Sequence, residues 1–358
     1  MIKIHSGKYN LKFRFVAGTS RGELTERDTW YVRITDDDSG VYGLGECAPI
    51  PGFSPDASPV FGETLAKICL EIQECMNEDG PDLDLISRID PELPSVKMGF
   101  ETALNDLHNG GKRVIFENGF HSGNKKIPIN GLVWMGSRDF MEEQIYEKIR
   151  EGFACIKIKI GAMDSGTELD ILRGLRKKYG PQDLAIRVDA NGAFSADEVH
   201  GFLDQLAQLK IHSIEQPLKP VFMEELSGLC RNSPVPIALD ESLVGHAAHK
   251  ERIIDEMRPA YIVLKPTLLG GFNETDQWIR LAGTKNIGWW ITSFLESNIG
   301  LNALCQYVAE YDTALEQGLG TGKLYHNNIG SPLRLRGDRI YYSKIDSWDL
   351  TPIMSLFG

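Results

Sequence analysis

Five charged residues recur at the same point in a repeating pattern, each closing a short apolar run. CIKIKIG carries Lys157 and Lys159, AIRVDAN stops at Asp189, SIEQP at Glu215, PIALDES at Asp240 and YIVLKP at Lys265. The interval is about 25 residues, the length of one strand–helix unit, and the order is lysine, acid, acid, acid, lysine. If each run is a parallel strand of a (β/α)8 barrel, the strand ends open on one face and these groups converge there. Three converging carboxylates repel one another and take up protons unless something compensates them. Oxygen-only ligands suit Mg²⁺, with Mn²⁺ as a substitute, and Mg²⁺ keeps coordination places for water or substrate. Lysines flanking such an ion are suited to moving a proton beside an anion that the ion stabilises. One acid at a strand end is often only a solvated loop residue, but the ordered set of five asks for a site.

The elements that must position this set occupy the second part of the chain. From Ile127 onward, strand-like runs (IPINGLVWM, CIKIKIG, AIRVDAN, SIEQP, PIALDE, YIVLKPT, GWWITSF and ALEQGL) alternate with helical segments such as MEEQIYEKIREG and ADEVHGFLDQLAQL. Eight strand candidates alternating with helices favour a modified TIM-type barrel over an open sheet. No GxGxxG follows a strand, which weakens a dinucleotide-binding reading. The first part differs: residues 2–16, 29–35 and the stretch from Val41 read as strands, AGTSRGELTERD between the first two as an exposed hairpin loop, and ETLAKICLEIQECM and KMGFETALNDLHNG as helices. The expected architecture is α/β, with an α+β capping domain over 1–126, a catalytic barrel over 127–324, and a tail over 325–358 that returns to the cap. Loops near Gly18–Gly22 and Gly52–Pro55 could cover the barrel mouth.

Composition narrows the function classes. The chain has 358 residues and a formal net charge of −12, and no basic stretch that could meet a phosphate backbone, which argues against nucleic acid as a partner. Six scattered cysteines form no CxxC pair and read as free thiols in a reducing compartment. No segment is long and apolar enough to span a bilayer and no signal peptide is apparent, so a cytoplasmic location is expected. Oligomeric state is not legible. The histidines show no metal-binding spacing, and GLGTG, with only Lys323 as a basic neighbour, makes a poor phosphate site.

Taken together, Lys-x-Lys, RVDAN, EQP, LDES and LKP resemble the enolase superfamily, within its muconate-lactonizing subgroup, over nearly the whole chain. That superfamily serves as a standard example of a lysine or histidine base working with Mg²⁺ on an enediolate. The resemblance implies Asp189, Glu215 and Asp240 as Mg²⁺ ligands, and Lys159 and Lys265 as proton-transferring groups on opposite sides of a small carboxylate substrate. The subgroup includes cycloisomerases, dipeptide epimerases, N-acylamino acid racemases and o-succinylbenzoate synthases. SFLESNIGLNAL is similar to a segment of the synthases, and LEQGLGTG lacks the Asp-x-Asp pair with which dipeptide epimerases grip an ammonium. The implied reaction is dehydration of 2-succinyl-6-hydroxy-2,4-cyclohexadiene-1-carboxylate in menaquinone synthesis, with racemisation or epimerisation as the alternative on the same two lysines. A barrel that only binds a carboxylate ligand is disfavoured, because both lysines and all three acids are intact.

The shared step removes a proton α to a carboxylate, so the base must be neutral when it acts. Burial and neighbouring positive charge, including Lys157 beside Lys159, should lower its pKa from about 10.4. Lys157 and Lys159 share one strand face, and only Lys159 is near enough to the strand end to reach substrate. Arg187 could orient a ligand, or form an ion pair inside the barrel. Asn191 and Gln216 follow two of the acids and could orient them, and Glu241 could act electrostatically beside Asp240. Ser293 and Glu296 are expected to line the pocket at the seventh strand end, Phe53 to form an apolar wall from the cap, and Arg21 to meet a second substrate carboxylate.

Overall fold

The structure is a computed structural model that describes residues 1–19 and 22–357. Arg21 therefore lies outside the described residues. Strands β1 (Ile2–Thr19), β2 (Gly22–Asp36) and β3 (Tyr42–Cys47) form an antiparallel sheet in sequence order. Helices α1 (Phe61–Asp79) and α2 (Pro94–His108) cover one face of it. Ile2, Ile4, Val32 and Ile34 from the sheet pack against Phe61, Leu65, Ile72, Val96, Phe100 and Leu104 from the helices. The helix α2 backbone sits almost on β3. A Cβ at Gly43 or Gly45 would lie 1.8 Å from the main-chain oxygen of Ala103 or Gly99, so only glycine permits this approach.

After a short strand β4 (Ile127–Pro128), which belongs to a separate small sheet, the barrel is built of seven parallel strands in sequential order. These are β5 (Gly131–Val133), β6 (Cys155–Lys159), β7 (Ala185–Asp189), β8 (Ser213–Glu215), β9 (Ile237–Leu239), β10 (Tyr261–Leu264) and β11 (Gly288–Ile291). The connecting helices are α3 (Arg138–Arg150), α4 (Ser165–Lys178), α5 (Ala196–Gln208), α6 (Met223–Asn232), α7 (Lys250–Met257), the single turn α8 (Pro266–Leu269), α9 (Phe272–Thr284) and α10 (Asn298–Ala309). Side-chain alternation explains why polar groups can occupy a barrel interior. Ile156, Ile158, Ile186, Val188, Ile214, Ile237, Leu239, Ile262, Leu264 and Ile291 face the helices in the main core. The residues between them point inward: Ala238, Val263 and Trp290 plug the lower barrel, and the charged set sits above.

Three features differ from the sequence reading. The polar stretch read as a hairpin loop is largely strand: pairing resumes after an irregularity between Lys12 and Ala17 and runs out to Thr19↔Gly22. Among its described residues only Ala17 and Leu24 are apolar, paired across the hairpin and packed toward Trp134, too few to announce an alternation. The eighth barrel strand, expected over ALEQGL, shrinks to Gln317 and Gly318. Gln317 N–H donates to Pro128 O (2.8 Å) and its carbonyl accepts from Asn130 N–H (3.0 Å), while Gly318 N–H donates to Ile291 O (2.8 Å). These two residues thus join the sheet's edges. Finally, the tail divides. Strands β12 (Leu333–Arg336) and β13 (Arg339–Tyr342) form a hairpin that pairs with β4. Beyond it, α11 (Thr351–Met354) and the following turn bring Ile353 and Phe357 against Tyr31 and Leu44 of the first sheet.

Candidate active site

Strand register assembles the charged set. Lys159 is opposite Asp189, and Asp189 opposite Glu215, in the β6–β7–β8 ladder. Asp240 and Lys265 are the first residues beyond β9 and β10. Because the strands follow sequence order, the three acids lie between the two lysines around the rim.

The acids and ammoniums interlock. Lys157 Nζ lies 2.9 Å from Asp189 Oδ2 and 2.6 Å from Glu215 Oε1. Lys159 Nζ donates to Asn191 Oδ1 at 2.8 Å and stands 3.3 Å from Asp189 Oδ2. Lys265 pairs with Asp240. Burial disfavours the charge on Lys157, but Asp189, Glu215 and Asp240 outweigh it and hold the ammonium far above its usual range. Lys265 is likewise raised: burial opposes its charge, and Asp240, Glu241 and Glu215 overcome it. Carboxylates rather than cations dominate the surroundings of Lys265 and favour its ammonium form. Burial pushes the Glu215 carboxyl up, with Asp189 adding to the rise and Lys157 opposing it. Burial also raises Asp240, against Lys265. Asp189 resists burial because Lys157, Lys159 and Lys265 together hold it well below the carboxylate range.

The flanking residues fall into two groups. Asn191 and Glu241 join the rim: Asn191 Nδ2 donates to Glu241 Oε1 at 2.9 Å, and both residues line the pocket. Gln216 is buried. Its Oε1 accepts from Asp240 N–H (3.0 Å) and Ser242 N–H (3.2 Å), and its Nε2 donates to Ser242 Oγ (2.7 Å), so it shapes the turn that presents Asp240. Both Asn191 (φ 45°) and Gln216 (φ 40°) adopt the left-handed conformation, which is strained for any side chain and concentrates at functional sites. Arg187 does not reach the rim. Its guanidinium stacks 4.1 Å from the Trp290 ring centroid and pairs with Glu316 at 3.3 Å, which is the barrel-interior alternative. Ser293 lines the pocket, as expected, but Glu296 does not. Glu296 lies behind the wall, accepting from Thr267 Oγ1 (2.5 Å), Ser293 Oγ (2.6 Å) and Phe294 N–H (2.7 Å). An acid that receives three local donors braces its loop instead of facing solvent.

The pocket above the rim is bounded by Leu24, Ile50 and Phe53 from the cap and by Leu132, Trp134, Phe294 and Leu295 from the barrel. Phe53 is the residue expected there from the sequence. Trp134 ends the first barrel strand, a position that could have signalled pocket lining, whereas Leu24 and Leu295 carry no local signal. At the eighth strand the lining is Gly318, Gly320 and Thr321, with no carboxylate among them.

A family model described as enolase C-terminal domain-like matches residues 141–343. The chain belongs to the enolase superfamily. It is 44% identical over 353 residues to an o-succinylbenzoate synthase of Desulfotalea psychrophila, covering 92% of this chain and 95% of that protein. A crystal structure of MenC from Desulfotalea psychrophila LSv54 superposes with a TM-score of 0.83 at 40% identity, covering 95% of this chain and 99% of that one. An o-succinylbenzoate synthase structure from Thermosynechococcus elongatus, complexed with Mg in its active site, superposes with a TM-score of 0.73 at 25% identity, covering 88% of this chain and 92% of that one. Enolase-superfamily enzymes bind Mg²⁺, so the donor set can be judged against that ion. Among the described residues, no three His, Cys, Asp or Glu side chains stand as a closed metal cage. The acids are instead drawn onto ammoniums, as the distances above show. No helix among the described residues is long and apolar enough to cross a membrane.

Proposed function

We propose that this chain is a Mg²⁺-dependent lyase that dehydrates 2-succinyl-6-hydroxy-2,4-cyclohexadiene-1-carboxylate to 2-succinylbenzoate, a step of menaquinone synthesis. The observation that carries the reading is the order lysine, acid, acid, acid, lysine on five successive strands that open into one pocket.

Asp189, Glu215 and Asp240 would hold the cation. Their oxygen-only donor set suits it, and Glu215 Oε2 is buried with no hydrogen-bond partner. Four rim carboxylates, counting Glu241, face the Lys157 and Lys265 ammoniums and the Lys159 side chain, an excess of negative charge that a divalent cation would balance. When bound, the cation supplies positive charge where the enediolate charge develops on the substrate carboxylate, worth several kcal/mol. Lys159, as the neutral amine, takes the proton α to that carboxylate, and the C–H electron pair moves into the enediolate. The C–O bond to the ring hydroxyl then breaks, its electron pair leaving with oxygen. The Lys159 ammonium returns a proton to that oxygen, releasing water and an aromatic ring. Lys265 stays an ammonium across the pocket and stabilises the delocalised anion. Leu24, Ile50, Phe53, Trp134 and Leu295 enclose the ring and keep water from the anion.

Dehydration ranks above dipeptide epimerisation because the eighth strand end offers only Gly318, Gly320 and Thr321 toward the pocket, with no acid to receive a substrate ammonium. The test is turnover of the cyclohexadiene substrate with Mg²⁺, followed by EDTA. Rapid aromatisation that EDTA abolishes is expected. A folded protein that leaves this substrate intact but exchanges the α-hydrogen of N-acylamino acids or dipeptides in D2O would overturn the assignment in favour of the racemase or epimerase chemistry.

A further inference from the structure

The pocket wall contains a bulky residue in a conformation that it would not choose. Leu295 has φ 59°, a left-handed geometry that is strained for a residue with a Cβ. It persists because both ends of the residue are held. Its N–H donates to Ser293 Oγ at 3.1 Å, and Ser293 is itself fixed by Glu296. Its carbonyl accepts from Tyr325 Oη at 2.6 Å and from Arg27 Nη1 at 3.0 Å. The same Arg27 Nη1 reaches Phe294 O at 3.1 Å.

These partners come from three parts of the chain: Glu296 from the barrel, Tyr325 from the tail and Arg27 from β2 of the cap. Arg27 is only 4% exposed and does not itself line the pocket. Leu24, three residues before it on the same strand, does. The Leu295 side chain packs both with the cluster around Trp134, Leu132 and Leu24 and with the cluster around Ile50, Phe53 and Phe294. It is therefore where the apolar wall built by the β1–β2 hairpin meets the wall built by the loop after β3.

We propose that Arg27 is a positioning residue. By holding the Phe294 and Leu295 carbonyls it keeps Leu295 facing the pocket, and the wall so formed binds the apolar ring of the substrate. This inference rests on the dehydratase reading above. Arg27 touches none of the charged groups at the rim, so its loss acts on substrate binding more than on the chemical step.

The test uses the full chain with Mg²⁺. Arg27→Met should raise KM for the cyclohexadiene substrate by about tenfold or more while kcat stays within about threefold, and affinity for 2-succinylbenzoate, measured by calorimetry, should fall in parallel. Arg27→Lys should recover most of the loss, because one nitrogen serves both carbonyls. Leu295→Gly probes the same wall without disturbing Arg27, and glycine accepts the positive φ freely. It should raise KM similarly, and adding Arg27→Met to it should change little more, since coupled residues are not additive. Wild-type kinetics in Arg27→Met, or a fall in kcat as large as the rise in KM, would overturn the inference while leaving the activity intact. A wild type that neither turns over the substrate nor binds 2-succinylbenzoate would overturn the activity reading itself, and this inference with it.

Discussion

Replacing Lys157 by Met should expose how far the acid cluster depends on its ammonium. Lys157 Nζ contacts Asp189 at 2.9 Å and Glu215 at 2.6 Å, and the three side chains are 7%, 1% and 2% exposed. Removing one partner of a buried ion pair costs about 3–5 kcal/mol. Met has similar reach and fills most of the space, so lost packing contributes little. In EDTA the variant should therefore be less stable than wild type by up to about 3–5 kcal/mol, the loss growing as pH rises because Glu215, freed of the Lys157 charge that opposes its rise, can take up a proton at lower pH. Mg²⁺ should restore part of this. A ligand at a hundred times its Kd stabilises by about 2.7 kcal/mol, and at equal free Mg²⁺ the variant should gain more than wild type, because Lys157 no longer competes for the same oxygens. The assay is equilibrium urea unfolding followed by fluorescence and circular dichroism, in EDTA and in graded Mg²⁺. A variant as stable as wild type in EDTA would refute the electrostatic account of the cluster. An equal Mg²⁺ gain in both proteins would refute the assignment of Asp189 and Glu215 as the cation's ligands.

Two further perturbations test how the cap and the barrel seam support the site. Glu101 of α2 accepts from the Phe272 N–H at the start of α9, and burial, against the main-chain donors and Lys97, raises its carboxyl from 4.5 to about 7. The folded state thus holds this proton to a higher pH than the unfolded chain. Its contribution is full below about 4.5 and is lost as pH rises toward about 7. Glu101→Gln should flatten that part of the stability–pH curve, and an unchanged slope would count against it. At the seam, a Cβ on Gly318 would meet Thr292 Oγ1 at 2.5 Å and Cγ2 at 2.9 Å. Gly318→Ala should cost about 1–3 kcal/mol and raise KM. Adding Thr292→Ala should recover most of the stability, and no recovery would mean that the clash is not the cause.

Much of the site is legible in the sequence because barrel alternation writes itself locally. Inward Lys159 stands between outward Ile158 and Ile160, and inward Asp189 between outward Val188 and Ala190, so the charged positions mark strand ends directly. The apolar pattern reports the helix-facing side and the polar interruptions report the rim. What was not legible depends on contacts distant in the chain. Arg27 is 267 residues from Phe294, and Glu46 is 251 residues from Ser297, whose N–H and hydroxyl it receives at 2.9 and 2.6 Å. Neither has neighbours that announce its task. Glu296 was misplaced for the opposite reason. It sits in a segment that faces the pocket, but its carboxylate finds three donors behind the loop before it finds solvent. The eighth strand faded because Gly318 and Gly320 supply no side chains to the alternation. The outer hairpin reads as a loop because glycines and charged residues surround Ala17 and Leu24, its only apolar positions among the described residues.

The measurement that bears most directly on the central claim is turnover of the cyclohexadiene substrate by Lys159→Ala and Lys265→Ala, each in saturating Mg²⁺ and each checked for a wild-type far-UV spectrum. If the two lysines flank the reacting carbon as proposed, both variants should lose at least about 10³-fold in kcat, within the scale of general acid–base and electrostatic contributions. A folded Lys159→Ala that retains kcat within about tenfold of wild type would contradict the account, which gives the proton transfer to Lys159.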